Sequence, residues 1–442
     1  MSRPAILWFR GELRLADNPA LMTAAASGGP VLPLYILGTG GRPLGGAARW
    51  WLHGSLAALA RALAAMGATL VLRRGSAAAI LPELVRATGA ASVHWNAPAE
   101  PPTDDPLILR LREAGASITV GAADLLAEPA TRLTRDGRPL RLFAPFWRAL
   151  QRQAEPPAPL AAPTRLRSYA APVAGDALAD WRLRPSRPDW ASGIAATWTP
   201  GEPAAEVRLA QFLAGSLRRY AAERDRLDRP GTSLLSPHLR WGEIGPRQIW
   251  HRVKAASHGR TAAADAFLRE LAWRDFSYHL LQQKPSLARE PLQPGFAQFP
   301  WRNEAAALAA WQQGRTGYPL VDAAMRQLWH TGWMPNRARM VVASFLVKHL
   351  LLPWQQGEAW FWDTLVDADP ANNGANWQWV AGSGSDAAPF FRIFNPTAQA
   401  RKFDPEGAYA RRWLGDEVLP PIIEHAAARE RALAAFRQWR QR

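Results

Sequence analysis

The feature that most limits what this chain can fold into is a change of period along its length. Up to residue 121, short apolar β-type runs at 5–9, 31–36, 69–72, 92–95 and 117–120 alternate with alanine-rich helical stretches. Continuous apolar strands separated by helices predict a parallel sheet covered on both faces, an α/β doubly wound domain. Gly67, directly after the amphipathic run 46–66, is the expected stop of that helix. From about Glu128 to Pro203 the chain turns rich in Pro, Ala and Arg, as in QAEPPAPLAAPTR and RLRPSRPDW. Such a stretch neither joins a sheet nor makes a long helix, so it is expected to wrap over the surface as a linker. Beyond it, residues 206–220, 245–256, 262–282, 303–313, 320–330, 336–351 and 356–365 carry apolar residues at helical spacing and predict an all-α C-terminal domain. The expected division is 1–127, 128–202 and 203–442.

Two domains also suit 442 residues, more than one core usually sustains. No apolar run is long enough to span a membrane, and the N-terminal one is too short for a signal segment. The absence of cysteine excludes disulfides, thiolate catalysis and Cys-based zinc or iron–sulfur sites, and a cytoplasmic address is expected. A net charge of +16 points to a polyanionic partner, nucleic acid before membrane. Lysine occurs only at 254, 284, 348 and 402, so nearly all of the positive charge is arginine, which with the abundant alanine also fits a coding bias.

No G-x-G-x-x-G follows the first strand, where the segment is RGELRLADNP. Ligands of open parallel sheets bind beyond the strand carboxyl ends, where residues 9–14 and 95–100 belong. The GTGG at 38–41 is either a plain flexible loop or a close approach to a ligand. In PGTSLLS at 230–236, Thr232, Ser233, Ser236 and their backbone N–H groups suit a phosphate, or make an ordinary capping turn. Glu270, Trp273 and Arg274 share a helical face, either for a planar polar ligand or as a solvated pair beside a core Trp. Asn336, Arg339 and Met340 repeat that spacing while Arg337 points elsewhere, so one arginine can face a buried site and the other solvent or a phosphate. A buried Arg339 needs a carboxylate, and Asp367 and Asp369 are candidates. Neither His251 with His258 nor His238 with His279 has metal-ligand spacing, and no metal is expected. The stretch 354–402 adds Trp354, Trp360, Trp362, Trp377 and Trp379, more bulky indoles than an ordinary core needs.

WFRGELRLADNPAL, GTSLLSPHLRWGEI, LRELAWRDF, GRTGYPLVDAAMRQLWHTGWMPNRARM and DADPANNGANWQW, followed by FRIFNP and KFDPEG, together resemble the cryptochrome/photolyase family, on its cyclobutane pyrimidine dimer photolyase side. The resemblance spans both halves in order. It implies an N-terminal domain for a light-harvesting antenna and a helical domain gripping FAD, whose excited reduced form donates an electron to split a pyrimidine dimer in UV-damaged DNA. Tyr220, Thr232, Ser233, Leu234, Leu235 and Ser236 would then hold the FAD phosphates and ribityl chain, with Arg339, Asp367 and Asp369 flanking the isoalloxazine and Asn336 close by. Asn373 falls where the family faces flavin N5; asparagine there marks dimer photolyases, and aspartate marks plant-type cryptochromes. Glu270, Trp273, Asn336, Met340 and Trp379 match the dimer-binding cavity, with Asn336 standing where (6-4)-lesion enzymes have histidine. Trp377, Trp354 and Trp301 match a relay that photoreduces the flavin, while Trp360 and Trp362 keep a core assignment. Arg224, Arg274, Arg337, Arg392 and Lys402 match backbone-binding positions.

Two departures concern the antenna. Residues 95–102 lack the Asn–Glu pair of folate-binding photolyases, and Gly11-Glu12 replaces the commoner Arg-Asp, so methenyltetrahydrofolate, 8-hydroxy-5-deazaflavin or an empty site all remain open. A monomer without an obligate protein partner is expected. The alternative is a cryptochrome-like photoreceptor without repair, which the lack of a long effector tail after KFDPEG disfavours.

Overall fold

The computed structural model describes residues 3–101, 105–127, 133, 134, 136–257, 261–386 and 391–441. The N-terminal strands β1 (Ala5–Phe9), β2 (Val31–Leu37), β3 (Val71–Arg74), β4 (Ser92–Asn96) and β5 (Ser117–Gly121) form one sheet in the order β3-β2-β1-β4-β5. Every pairing is parallel, and the order reverses between β1 and β4, so the expected doubly wound sheet is present. Alternation along β1 explains the two faces. Ile6 and Trp8 pack with Trp95, Leu107 and Leu111, whereas Leu7 and Phe9 pack with Trp51, Leu52 and Leu56 of helix Gly46–Ala65. That helix stops where Gly67 adopts φ +84°, a left-handed conformation suited to glycine.

The Pro-rich stretch departs from a plain surface linker. Glu128 and the four residues after it lie outside the described residues. Helix Phe143–Gln151 follows, and its Phe143, Phe146 and Leu150 enter the same apolar cluster as Phe276 and Leu280 of the helical half. Further on, Ser168 bridges Val31 at the sheet, and Trp181 and Trp198 join the core around Trp51. Composition concealed this because apolar residues spaced among prolines still bury area, and irregular backbone can bring them in.

The second half is helical from Glu202–Ala214 onward. Residues 336–351, expected as one helix, divide into Asn336–Ser344 and a π-helical turn Phe345–His349. The stretch around Asn373 forms helix Asn372–Ala381, started by Asp369, whose Oδ1 accepts from the backbone N–H groups of Ala371 (2.9 Å) and Asn372 (2.7 Å). Among the described residues no helix is long and apolar enough to cross a membrane.

The segment after β1 does not line an open ligand site, because the helical half covers it. Arg14, 2% exposed, reaches Asp124 (2.9 Å) and the Gly242 carbonyl (3.0 Å), while Leu15 and Ala16 donate to Glu202. Asn96 is likewise occupied with Ala20 and Asn18.

Candidate functional site

The loop before helix Ser236–Arg240 is shaped by close approach. A Cβ on Gly231 would stand 2.4 Å from the Glu223 carbonyl, and Leu234 holds φ +55°, rare outside glycine. Such a backbone persists only where its surroundings over-determine it, and it clusters at ligand clamps. Thr232, Ser233 and Leu234 are half-buried, Leu235 buried and Ser236 exposed. Ser236 Oγ accepts from the Trp333 indole at 3.1 Å. Tyr220 stands behind the loop, edge-on to Phe212 and Phe267; its burial raises the phenol's pKa.

Facing this loop, the segment between Leu365 and Ala371 is pinned by its carbonyls: Trp241 donates to Val366 O (3.0 Å) and Arg240 to Ala368 O (2.7 Å). The two aspartates of this segment then diverge. Asp367 Oδ2 accepts from Arg339 Nη2 at 2.8 Å, and Arg339 Nε also donates to Met334 O. Asp369 instead takes the Tyr278 hydroxyl at 2.6 Å besides capping its helix. Of the two candidates for Arg339, the structure selects Asp367. Asp367 Oδ1 is buried and unpartnered, an orphan acceptor that a ligand N–H would satisfy.

Asn373, 8% exposed, donates through Nδ2 to Glu358 Oε1 (2.8 Å) and to the Glu358 carbonyl (3.0 Å). Sequence reasoning missed Glu358, although a signal existed: it occupies the same face as Trp354, Phe361 and Trp362, a carboxylate on an apolar stripe. Trp377 and Trp354 are buried in one apolar cluster with Trp301 packed against it. The two helices touch through Gly357, where a Cβ would fall 2.1 Å from the Trp377 ring. Trp362 is buried, as expected, and Trp360, partly buried, packs against the same core while stacking at 5.9 Å on the exposed Trp329.

The outer residues separate. Glu270 pairs with Arg224. Trp273 stacks on Phe143 at 3.6 Å, a partner hidden in the expected linker. Arg274 does not share their surface: it is 12% exposed and donates to the Asp124 carbonyl at 2.8 Å, which makes it an interdomain tie instead of the expected phosphate contact. Asn336 is exposed beside Met340, 3.9 Å from its sulfur. Arg337 donates to Asp225 (2.6 Å) and covers the Phe403 ring, lining with Arg226 and Lys402 a cleft of about 350 Å³. Trp379 donates to the Asp386 carbonyl and borders a small recess with Arg392 and Lys348. His251 bonds the Pro156 carbonyl, His238 bonds Glu243 and His279 the Leu140 carbonyl, while His258 lies outside the described residues.

Comparison with known proteins accounts for both halves. Residues 5–164 match the family described as DNA photolyase, and residues 267–418 match the FAD binding domain of DNA photolyase. The deoxyribodipyrimidine photo-lyase of Agrobacterium fabrum is 47% identical over 98% of this chain and 97% of its own. Cryptochrome-1 of Arabidopsis thaliana is 38% identical over 93% of this chain, which spans 62% of that longer protein. A bacterial class III photolyase from Agrobacterium tumefaciens superposes with a TM-score of 0.97 at 45% identity, over 100% of this chain and 98% of that one. An archaeal photolyase from Sulfolobus tokodaii with two FAD molecules superposes at 0.82 and 26% identity, over 98% of this chain and 100% of that one. Sequence order, sheet topology and both domain matches agree, and the chain belongs to the DNA photolyase family.

Proposed function

We propose that the protein is a deoxyribodipyrimidine photolyase that repairs cyclobutane pyrimidine dimers in DNA under blue light. The observation that carries the assignment is the buried polar set of the site: Arg339 paired with Asp367, whose second oxygen lacks a donor, together with an Asn373 amide fixed by Glu358. An orphan acceptor beside a guanidinium suits the imide N–H and carbonyl edge of an isoalloxazine, so these residues fit FAD. Bound and reduced, FAD supplies the light-excited electron donor.

Around it the protein's task is to bind, orient and exclude water. Tyr220 and the loop Thr232, Ser233, Leu234, Leu235 and Ser236 would hold the phosphates and ribityl chain, Arg339 and Asp367 the ring edge, and Asp369 the helix that carries Asn373. A neutral amide at Asn373 leaves an anionic reduced ring without a nearby acid to protonate it, which favours repair over a signalling photoreceptor. Glu270, Trp273, Asn336, Met340 and Trp379 would receive the extruded dimer by stacking and edge hydrogen bonds. Arg224, Arg337, Arg392 and Lys402 would grip phosphates, and Trp301, Trp354 and Trp377 would conduct electrons inward to reduce oxidised FAD. The division 1–127, 128–202 and 203–442, a cytoplasmic monomer and a second antenna chromophore in the N-terminal domain belong to the same proposal.

Reduced protein given dimer-containing DNA should restore intact thymines under blue light, and recovery no greater than in a dark control overturns the proposal. FAD photoreduction without any repair would favour the cryptochrome-like alternative.

A further inference from the structure

Arg42, in the loop between β2 and helix Gly46–Ala65, crosses from the N-terminal domain to the helix Trp354–Thr364. Its Nη1 and Nη2 donate to Glu358 Oε1 and Oε2 at 2.7 and 2.8 Å, a bidentate pair. The guanidinium also lies 4.2 Å from the centre of the Trp362 ring. The surrounding loop is clamped in the same place. Trp362 donates to the Pro43 carbonyl at 2.8 Å, Gly46 N–H donates to Asp363 at 2.8 Å, and a Cβ on Gly45 would stand 2.1 Å from the Trp362 carbonyl.

We propose that Arg42 is a positioning residue for the flavin: through Glu358 it keeps the Asn373 amide oxygen directed away from Glu358 and available to flavin N5. The proposal rests on the FAD assignment above. An amide nitrogen has two N–H donors, and both on Asn373 go to oxygens that only accept, the ionised Glu358 carboxylate and a backbone carbonyl. Oδ1 is therefore the polar atom left for a ligand, and the hydrogen-bond network fixes that orientation. A reduced isoalloxazine carries a hydrogen on N5 and an oxidised one does not, so an acceptor oxygen favours the reduced ring. Charge acts in the same direction. Glu358, with its side chain 3% exposed, would repel an anionic reduced ring if it stood alone, and Arg42 cancels that charge. Arg42 itself is 36% exposed, so replacing it opens no core cavity.

The test uses the full-length FAD-loaded protein and its Arg42→Ala, Arg42→Lys and Asp363→Ala variants. The readouts are flavin content, the midpoint potential of the bound flavin, and the rate of reoxidation in air after chemical reduction in the dark. Arg42→Ala should keep its FAD, show a lower midpoint potential and reoxidise on the order of tenfold faster, as one pKa unit's worth of lost interaction would produce. Arg42→Lys should recover part of the shift, because it restores the charge without the fork. Asp363→Ala loosens the same loop without touching Glu358 and should match the parent. An Arg42→Ala potential and reoxidation rate equal to the parent's, or an equally large shift in Asp363→Ala, overturns the proposal. If Arg42→Ala loses its flavin, Arg42→Lys decides, and an unchanged potential there refutes the role. A parent protein that cannot be loaded with FAD would overturn the cofactor assignment instead, a separate outcome.

Discussion

Arg339 and Arg337 stand two residues apart on helix Asn336–Ser344, roughly 200° apart around its axis, and they serve two different faces of the site. Arg339 turns inward to Asp367, whose side chain is 3% exposed; Arg337 turns outward to Asp225, 32% exposed, at the rim of the cleft with Lys402. Inside, neither partner can be left alone without stranding a charge in a poorly polarisable medium. Outside, the pair is part-buried, with Arg337 18% and Asp225 32% exposed, so water reaches the carboxylate and screens the attraction in a way that it cannot at Asp367. The two arginines are similarly covered, so the exposure of the carboxylate, 3% at Asp367 and 32% at Asp225, sets the difference between the two pairs.

The contrast breaks if the two carboxylates prove equivalent. Asp367→Ala should destabilise the protein by about 3 kcal/mol, the lower end for a broken buried pair because Arg339 keeps some solvent, and should release FAD on gel filtration. Asp225→Ala should leave thermal stability and flavin content nearly unchanged; equal losses in the two variants would remove the distinction. A third buried carboxyl tests what happens when a neighbouring arginine is insufficient. Glu12 sits near Arg14, yet burial dominates and raises its pKa from 4.5 to about 7. Between those values the folded chain holds a proton that the unfolded chain has released, so stability should fall as pH rises from about 4.5 to 7, by about 3 kcal/mol in total. Denaturant titrations at several pH values should show that slope, and Glu12→Gln should flatten it. The smallest effect is expected at the rim: Arg337→Ala should weaken damaged and undamaged DNA alike by a few-fold and reduce the salt-dependence slope by about 1. A loss confined to damaged DNA would place Arg337 in lesion recognition.

The existence and order of the five strands were legible, and β1 is observed over the span read from sequence, whereas β3 lies at Val71–Arg74, two residues beyond the span read at 69–72, and ends on two arginines instead of an apolar run. The helices carrying Glu270 and Arg339 were legible from their spacing, and so was the need of Arg339 for an aspartate. Which aspartate it takes was not, because Asp367 and Asp369 differ by two positions in irregular backbone whose direction is set by Arg240 and Trp241 from another segment. Arg274 was placed with Glu270 and Trp273 by the same helical spacing, but its long side chain reaches Asp124, which no pattern in the chain announces. Trp273 has its stacking partner Phe143 in a stretch whose prolines suggested no packed structure at all.

By itself, then, the sequence determined the two-part architecture, the loop chemistry of Thr232–Ser236, the amide at Asn373 and the strongly basic character. These are local in the chain, written as periodicity, residue type and charge. Tertiary structure alone decided the pairings: Arg339 with Asp367, Arg337 with Asp225, and Arg42 with Glu358 across 316 positions. Ion pairs and hydrogen bonds act over a few ångströms through space, and sequence separation carries no information about that distance until the apolar cores have brought the segments together.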